Sequence, residues 1–359
     1  MKNIFTILPL LLMLACSTVQ DHVEPVLYCT DLFHPHDDPD DHFDVVALYA
    51  LQELDIRGIV LDQGARQDER PGRIPVEQLN FLTGRDVPCE KGLSEKLKRP
   101  DDEARDQAEI HQAGVRLILD VLEATSQKVT LICVGSLRDV AAAFNRDPDF
   151  FRARVSKLMI FIGEASAATR EWNVGLDPNA FICIMNSGLP VWWVPCFDGG
   201  NFKNKGNASF WKANHADLLR SASDRVMNFF IYALLKIDSM DHLEYLERPV
   251  DAQARKQALV GTRNLWCAAV FTAAAGRRIV ERDGERIAVP ASSLKEGDAV
   301  LEVFRFVPVS LFVNDDSRVV YGESSRSHEI FRFQIVNREL YAETMTSVTR
   351  RLIHDLDGF

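Results

Sequence analysis

From Val23 to Pro195 the sequence alternates short apolar runs with segments whose apolar residues recur at helical spacing, and this alternation narrows the fold more than any other feature. "VEPVLYC" reads as a buried strand ending at Thr30 and Asp31, "FDVVALYALQEL" as a helix and "IRGIVLD" as a second buried strand. Helices follow in "VEQLNFLTG" and "HQAGVRLILDVLEAT", then a strand in "KVTLICVG", a helix in "LRDVAAAFNR" and a strand in "SKLMIFIG". "DPNAFICIMNSG" reads as a helix and "LPVWWVP" as a strand. Strands separated by helices must cross over rather than turn back, which predicts an α/β fold: a mainly parallel central sheet with helices on both faces.

The last third changes character. Residues 208–237 and 255–276 read as longer helices, after which "LEVFRFVPVSLFV", "SRVVYG" and "IFRFQIV" read as short, partly antiparallel strands. A final helix covers "YAETMTSVTRRLIHDL". No internal repeat, low-complexity tract or second linker divides the chain, so residues 24–359 read as a single domain. At 47% hydrophobic and 26% charged residues, 359 positions suffice for one large core or two modest ones.

The first residues lie outside that domain. "MKNIFTILPLLLMLAC" has one lysine, an apolar run from Ile4 to Ala15 and then Cys16, the layout of a secretory signal too short to span a bilayer comfortably. "MLAC" is similar to the lipobox of bacterial lipoproteins, so residues 1–16 are expected to end at a lipidated Cys16. Ser17 behind the cysteine points to the outer membrane, with the domain facing the periplasm; ordinary signal cleavage is the alternative. Six cysteines remain, Cys29, Cys89, Cys133, Cys183, Cys196 and Cys267, with no CxxC spacing, which excludes a zinc ribbon or thioredoxin motif. The net charge of −11 and the absence of a basic cluster argue against nucleic acid as a partner and leave a small neutral or cationic molecule.

Residues 34–44, "HPHDDPDDHFD", hold five aspartates and three histidines. Alone, such a stretch is a solvated acidic loop or a metal or catalytic site. Its place decides between them: it follows the first predicted strand, and ligands of such sheets bind beyond the carboxyl ends of the strands.

Four segments in order resemble the inosine-uridine preferring nucleoside hydrolases. "CTDLFHPHDDPDDHFDVVAL" stands where that family has an acidic signature leading into an apolar helix, with a longer loop between Asp31 and the Asp40–Asp41 pair. "GSLRDVA" at 135–141 matches a Gly-Pro-Leu-Thr-Asn segment, and "EWN" at 171–173 with "DPNA" at 177–180 match Glu-Phe-Asn and Asp-Pro-Glu-Ala. The resemblance implies the family's fold and hydrolysis of N-ribosyl bonds. It implies a Ca²⁺ held by Asp31, Asp41 and the backbone carbonyl of Arg138, with Asp31 as general base. Asp40, Glu171 and Asn173 would bind the sugar. The implied partner is a small riboside or sugar; a homo-oligomer stays open.

The sequence departs from the family at the chemistry. Cys29 replaces the first aspartate of the signature, and Trp266 and Cys267 stand where a His-Asp pair belongs. Thiols suit a hard cation poorly, and an indole cannot protonate a leaving group. His34 and His36 in the longer loop are candidate replacement ligands, which would favour another divalent metal over calcium, or the loop is a solvated rim and no metal binds. Because Cys29 and Cys267 both map to the metal site by resemblance, a disulfide between them is one expectation. Trp192, Trp193 and Trp211 either stack on a base or pack the core, and "FDGGN" at 197–201 either approaches a ligand or makes a tight turn. Two alternatives to riboside hydrolysis are a degenerate sugar-binding lipoprotein and a hydrolase with a shifted metal site and a non-nucleoside substrate.

Overall fold

In the computed structural model, which describes residues 23–238 and 240–358, the predicted alternation becomes a nine-stranded sheet. Its strands in chain order are β1 (Glu24–Thr30), β2 (Leu54–Leu61), β3 (Cys89–Lys91), β4 (Val129–Cys133), β5 (Val155–Ile160) and β6 (Val191–Trp193). Strands β7 (Trp211–Asn214) and β8 (Thr262–Leu265) form a separate antiparallel pair, and β9 (Arg277–Arg282), β10 (Glu285–Pro290) and β11 (Ala299–Val300) a three-stranded sheet. The last three, β12 (Phe304–Val313), β13 (Val319–Tyr321) and β14 (His328–Ile335), return to the main sheet, whose order is β13-β12-β14-β6-β5-β4-β1-β2-β3. Pairing from β3 through β6 is parallel throughout, β14 adds parallel to β6, and β12 and β13 are antiparallel.

Two expectations for the last third fail. Residues 208–237 hold β7 and two helices, His215–Leu219 and Asp224–Leu234, and residues 255–276 hold the end of helix Ala252–Ala258, β8 and two short turns of helix, Ala268–Val270 and Phe271–Ala274. Periodicity alone allows either a strand or a helix in "WKAN" and "TRNL", and the antiparallel pairing of Trp211–Asn214 with Thr262–Leu265 decided for the strand, while residues 268–274 beyond it are helical.

The sheet separates two cores. Tyr28, Phe43, Phe230, Phe271 and Cys267 pack on one face, and Leu27, Cys29, Cys133, Phe151 and Trp193 on the other. Strand alternation sends Cys29 to the face opposite Tyr28, where it lies beside Cys133, its register partner on β4. Cys267 is in the other core, so the Cys29–Cys267 disulfide is not formed; the six described cysteines are free.

Chain order turns around at β1. The chain proceeds outward through β2 and β3, then resumes at β4 on the other side of β1. Loops leaving β1 and β4 therefore diverge at their carboxyl ends, and a crevice opens between them, as it does at the switch point of any doubly wound sheet.

Candidate active site

A cleft of about 580 Å³ occupies that crevice. Asp31, directly after β1, forms part of its wall, with Val134 after β4, Phe161 after β5, and Cys196 and Phe197 after β6. Helix Asp40–Tyr49 contributes Asp40, Asp41 and Asp44; helix Trp172–Leu176 and its N-cap contribute Glu171, Trp172 and Asn173; the end of β8 contributes Asn264, Trp266 and Cys267. Asp31 and Asp41, expected to hold a metal, and Asp40, Glu171 and Asn173, expected to bind the sugar, thus line one cavity.

Local chemistry explains their placement. Asp40 and Asp41 occupy the first turn of their helix, where the unpaired N–H groups favour negative charge. Thr30 Oγ1 donates to Asp41 Oδ1 at 2.9 Å, tying the helix start to the end of β1. Asp44 follows one turn on, at i+4 from Asp40 and i+3 from Asp41, so all three project from one face. Glu171 accepts the backbone N–H groups of Gly163 (3.0 Å), Asn173 (2.9 Å) and Val174 (3.3 Å), which fixes its carboxylate against the cleft. Asn173 Nδ2 donates to Val134 O at 3.0 Å, while its Oδ1 is buried without a partner.

The carboxyl groups crowd each other. Burial, with the charge of Asp62 next in importance, pushes the Asp31 carboxyl up to about 8. Burial and the neighbouring aspartates likewise raise Asp40 and Asp41 well above the usual carboxylate range. Burial moves Asp44 to about 7 even though Cys267 and the Ala268 N–H bond to it. Asp62 is the nearby group that stays fully engaged, accepting Gln63 N and Ser136 N at 2.8 Å and Ser136 Oγ at 2.9 Å.

The cationic residues nearby are occupied elsewhere. Arg66 pairs with Asp37 over the Phe33 ring, Arg263 with Asp38 at 2.7 Å, and Arg170 donates to Asp316 O at 3.1 Å. Among the described residues, no lysine or arginine forms an ion pair with Asp31, Asp40, Asp41 or Asp44. The carboxylates of Asp31, Asp40, Asp41 and Asp44 offer the oxygen donors that a hard divalent cation takes, beside the thiols of Cys196 and Cys267, which suit it poorly. No three acidic, histidine or cysteine side chains among the described residues already stand in coordinating geometry.

Other expected residues lie elsewhere. His34 and His36 do not line the cleft: His34 stacks on Tyr232 and contacts Ile237 O through Nε2 at 2.6 Å, and His36 packs edge-on to the buried His42. Arg138 does not line it either; its guanidinium is buried on Leu93 O, Ser94 O, Leu176 O and Asp177. Trp193 and Trp211 are core residues, and Trp192 packs on Phe306 and Phe331. In "FDGGN", Gly199 (φ 99°) and Gly200 (φ 108°) turn their N–H groups onto Glu164 at 2.6 and 3.2 Å, while Phe197 and Asn201 reach the cleft. The reading from sequence missed Trp172 and Phe202, which are 70% and 57% exposed at the cleft, and gave Asp44 no role. Helical spacing from Asp40 and Asp41 was the signal for Asp44; an exposed aromatic carries no comparable pattern.

Comparison with known proteins agrees with this architecture. The model of the inosine-uridine preferring nucleoside hydrolase family matches residues 36–245, and the chain belongs to that family. A pyrimidine-specific ribonucleoside hydrolase, RihA, of Salmonella arizonae is 26% identical over 172 residues, covering 42% of this chain and 55% of the relative. The chain thus spans little more than half the length of such relatives. Among solved structures, the inosine-uridine preferring nucleoside hydrolase of Bacillus anthracis superposes with a TM-score of 0.52 at 13% identity, covering 92% of this chain and 99% of that one. The purine-preferring ribonucleoside hydrolase of Gardnerella vaginalis gives 0.51 at 15% identity, with coverage of 92% and 99%. At such identities the likeness is one of fold.

Proposed function

We propose that this member of the inosine-uridine preferring nucleoside hydrolase family is an exported hydrolase of N-ribosyl bonds, working in the cleft at the carboxyl end of β1. The observation that carries the reading is the convergence of Asp31, Asp40, Asp41, Glu171 and Asn173 on one cavity. Asp40, Glu171 and Asn173 present acceptors and an amide to sugar hydroxyls. Asp31 is the general base, taking a proton from the attacking water as positive charge builds on the sugar ring. A divalent cation, held by Asp31 and Asp41, would supply polarisation of water and of sugar hydroxyls and would bring the Asp31 carboxyl down into the ionised range. Phe33, Phe161, Phe197 and Trp266 add apolar surface to the cavity wall, and polar contacts made beside apolar surface are less screened by water.

Export rests on the first sixteen residues, which lie outside the described part of the structure. A lipid-modified Cys16 would hold the domain at the outer membrane, on the periplasmic side.

One observation favours a second reading, sugar binding without turnover. Among the described residues no histidine lines the cleft, and the Trp266 indole cannot pass a proton to a leaving base. Incubation with a panel of nucleosides and p-nitrophenyl riboside, with calcium, zinc, magnesium or manganese supplied, separates the two. Hydrolysis predicts release of base or p-nitrophenol, with the better leaving group favoured over inosine. Binding alone predicts a raised melting temperature with ribosides and no release.

A further inference from the structure

Among the described residues the cleft has no group placed to hand a proton to a departing base. Its wall holds no histidine, lysine or tyrosine, and the Trp266 indole has no acid-base capacity near neutral pH. The thiols of Cys196 and Cys267 donate to Phe161 O and to Asp44. The carboxyl groups act as acceptors: Asp44 Oδ1 takes the Ala268 N–H at 2.8 Å, Glu171 takes three backbone N–H groups, and Asp37 and Asp38 pair with Arg66 and Arg263. Asp31, Asp40 and Asp41 serve water, sugar and cation in the proposed hydrolysis. Two other features describe what an aglycone meets. An aromatic wall runs from Trp266 to Phe197, with ring centroids 5.9 Å apart, and on to Phe202 at another 5.2 Å, and Trp172 adds a ring that is 70% exposed. The charge is one-sided: among the described residues the wall has seven carboxylic side chains and two arginines, in a chain of net charge −11.

We propose that the substrates of this cleft are ribosides of a positively charged aromatic nitrogen, of the N-ribosylpyridinium class. The inference rests on the riboside hydrolysis proposed above and narrows its substrate. Water adds its oxygen to the anomeric carbon and gives a proton to Asp31, while the C–N bond breaks and its electron pair stays on nitrogen. A purine or uracil leaves as an anion and has to be protonated. A pyridinium leaves as a neutral pyridine, so the absence of an acid does not slow it. The same positive charge suits the wall: aromatic faces attract a cationic ring, and the excess of carboxyl groups draws it into the cleft. On bond cleavage the charge moves from the ring to the sugar, beside Asp31, Asp40 and Asp41. The neutral pyridine is then held less tightly and departs.

Steady-state hydrolysis by the mature chain, with calcium or manganese supplied, compares N-ribosylpyridinium, p-nitrophenyl riboside and inosine. The expected kcat/KM is at least ~10²-fold higher for ribosylpyridinium than for inosine, the size of the contribution that a proton donor makes. Its KM should also lie below that of p-nitrophenyl riboside, which has a good leaving group and no charge, and the difference should shrink as salt is raised. Trp266→His offers a proton donor at the aglycone wall and should narrow the first ratio about 10-fold or more by raising kcat on inosine. Circular dichroism checks that the variant is folded; if it is not, the wild-type comparison decides alone. Inosine cleaved as well as ribosylpyridinium overturns the inference and leaves riboside hydrolysis standing. A ribosylpyridinium KM no lower than that of p-nitrophenyl riboside, or a folded Trp266→His with an unchanged ratio, does the same. Failure to cleave any of the three overturns both.

Discussion

Arg138 and Asp177 form an ion pair at 3.3 Å with side chains 4% and 0% exposed. They come from the two motifs "GSLRDVA" and "DPNA", and their contact locks the loop after β4 to the N-terminus of helix Pro178–Met185. Asp177 also accepts Leu97 N at 2.8 Å and caps that helix through Ala180 N at 3.0 Å. These motifs therefore serve the cleft at a distance, by holding the segments that carry Val134, Glu171 and Asn173.

Removing the guanidinium leaves a buried carboxylate and three backbone carbonyls short of a donor. Arg138→Ala should cost about 3–5 kcal/mol of stability, read as a lower urea midpoint with the slope unchanged. A loss below 1 kcal/mol would show that the pair is dispensable.

Asp31→Asn keeps the shape of the cleft and removes the base. Turnover should fall by about 10²–10⁴-fold with no loss of thermal stability. Asp38→Asn, whose carboxylate is half exposed and pairs with Arg263 at 2.7 Å, should fall far less. Equal losses in both variants would refute the assignment of Asp31 as base.

Trp172 and Phe202 are exposed aromatic rings at the cleft, and Phe202 is held at φ 58°, an unfavourable backbone for a bulky residue. A flat aglycone entering the cleft can stack on either. Replacing each with alanine should raise KM roughly 3- to 10-fold for aromatic aglycones and leave small aliphatic aglycones unaffected. Steady-state kinetics on paired substrates measures this, and a uniform effect on both classes counts against stacking.

Two buried groups give stability opposite slopes with pH. Burial, then the positive charge of Lys236, lowers His36 to about 4 from an ordinary 6.5. The folded state holds its proton less tightly than the unfolded one, so stability is full above pH 6.5 and is lost as pH falls toward 4. Burial, then Asp62, raises Asp139 to about 7 from 3.8. Here the folded state holds the proton more tightly, and stability present below pH 4 is lost as pH rises through 7. Asp139→Asn should therefore gain on wild type between pH 5 and pH 8, and His36→Gln should lose less than wild type between pH 7 and pH 4.5. Melting curves across pH test both, and parallel curves for variant and wild type would remove the linkage.

Cys16→Ser should move the protein from the detergent phase to the aqueous phase and abolish acyl mass on the mature chain. A mature N-terminus other than Cys16, without acylation, rules out the anchor.

The sequence by itself determined the alternation of strands and helices, the parallel sheet, and the position of Asp31 at the end of β1. Those features follow from periodicities of two and 3.6 residues, which a short window contains in full. It also placed Asp40 and Asp41 between the first strand and its helix and singled out Glu171 and Asn173 through their motif, while the structure begins that helix at Asp40. Tertiary structure decided what no local pattern encodes. The family resemblance maps Cys29 and Cys267 to one site, yet the face of β1 on which Cys29 sits puts the sheet between them. Trp211–Asn214 and Thr262–Leu265 became strands because each offered the other a pairing edge. Asp44 gained its neighbours Cys267 and Ala268 from a segment 224 positions later. Contacts at that separation form only when the whole sheet and both its cores assemble, and the free energy that selects them is the burial of those cores rather than the preference of any one stretch.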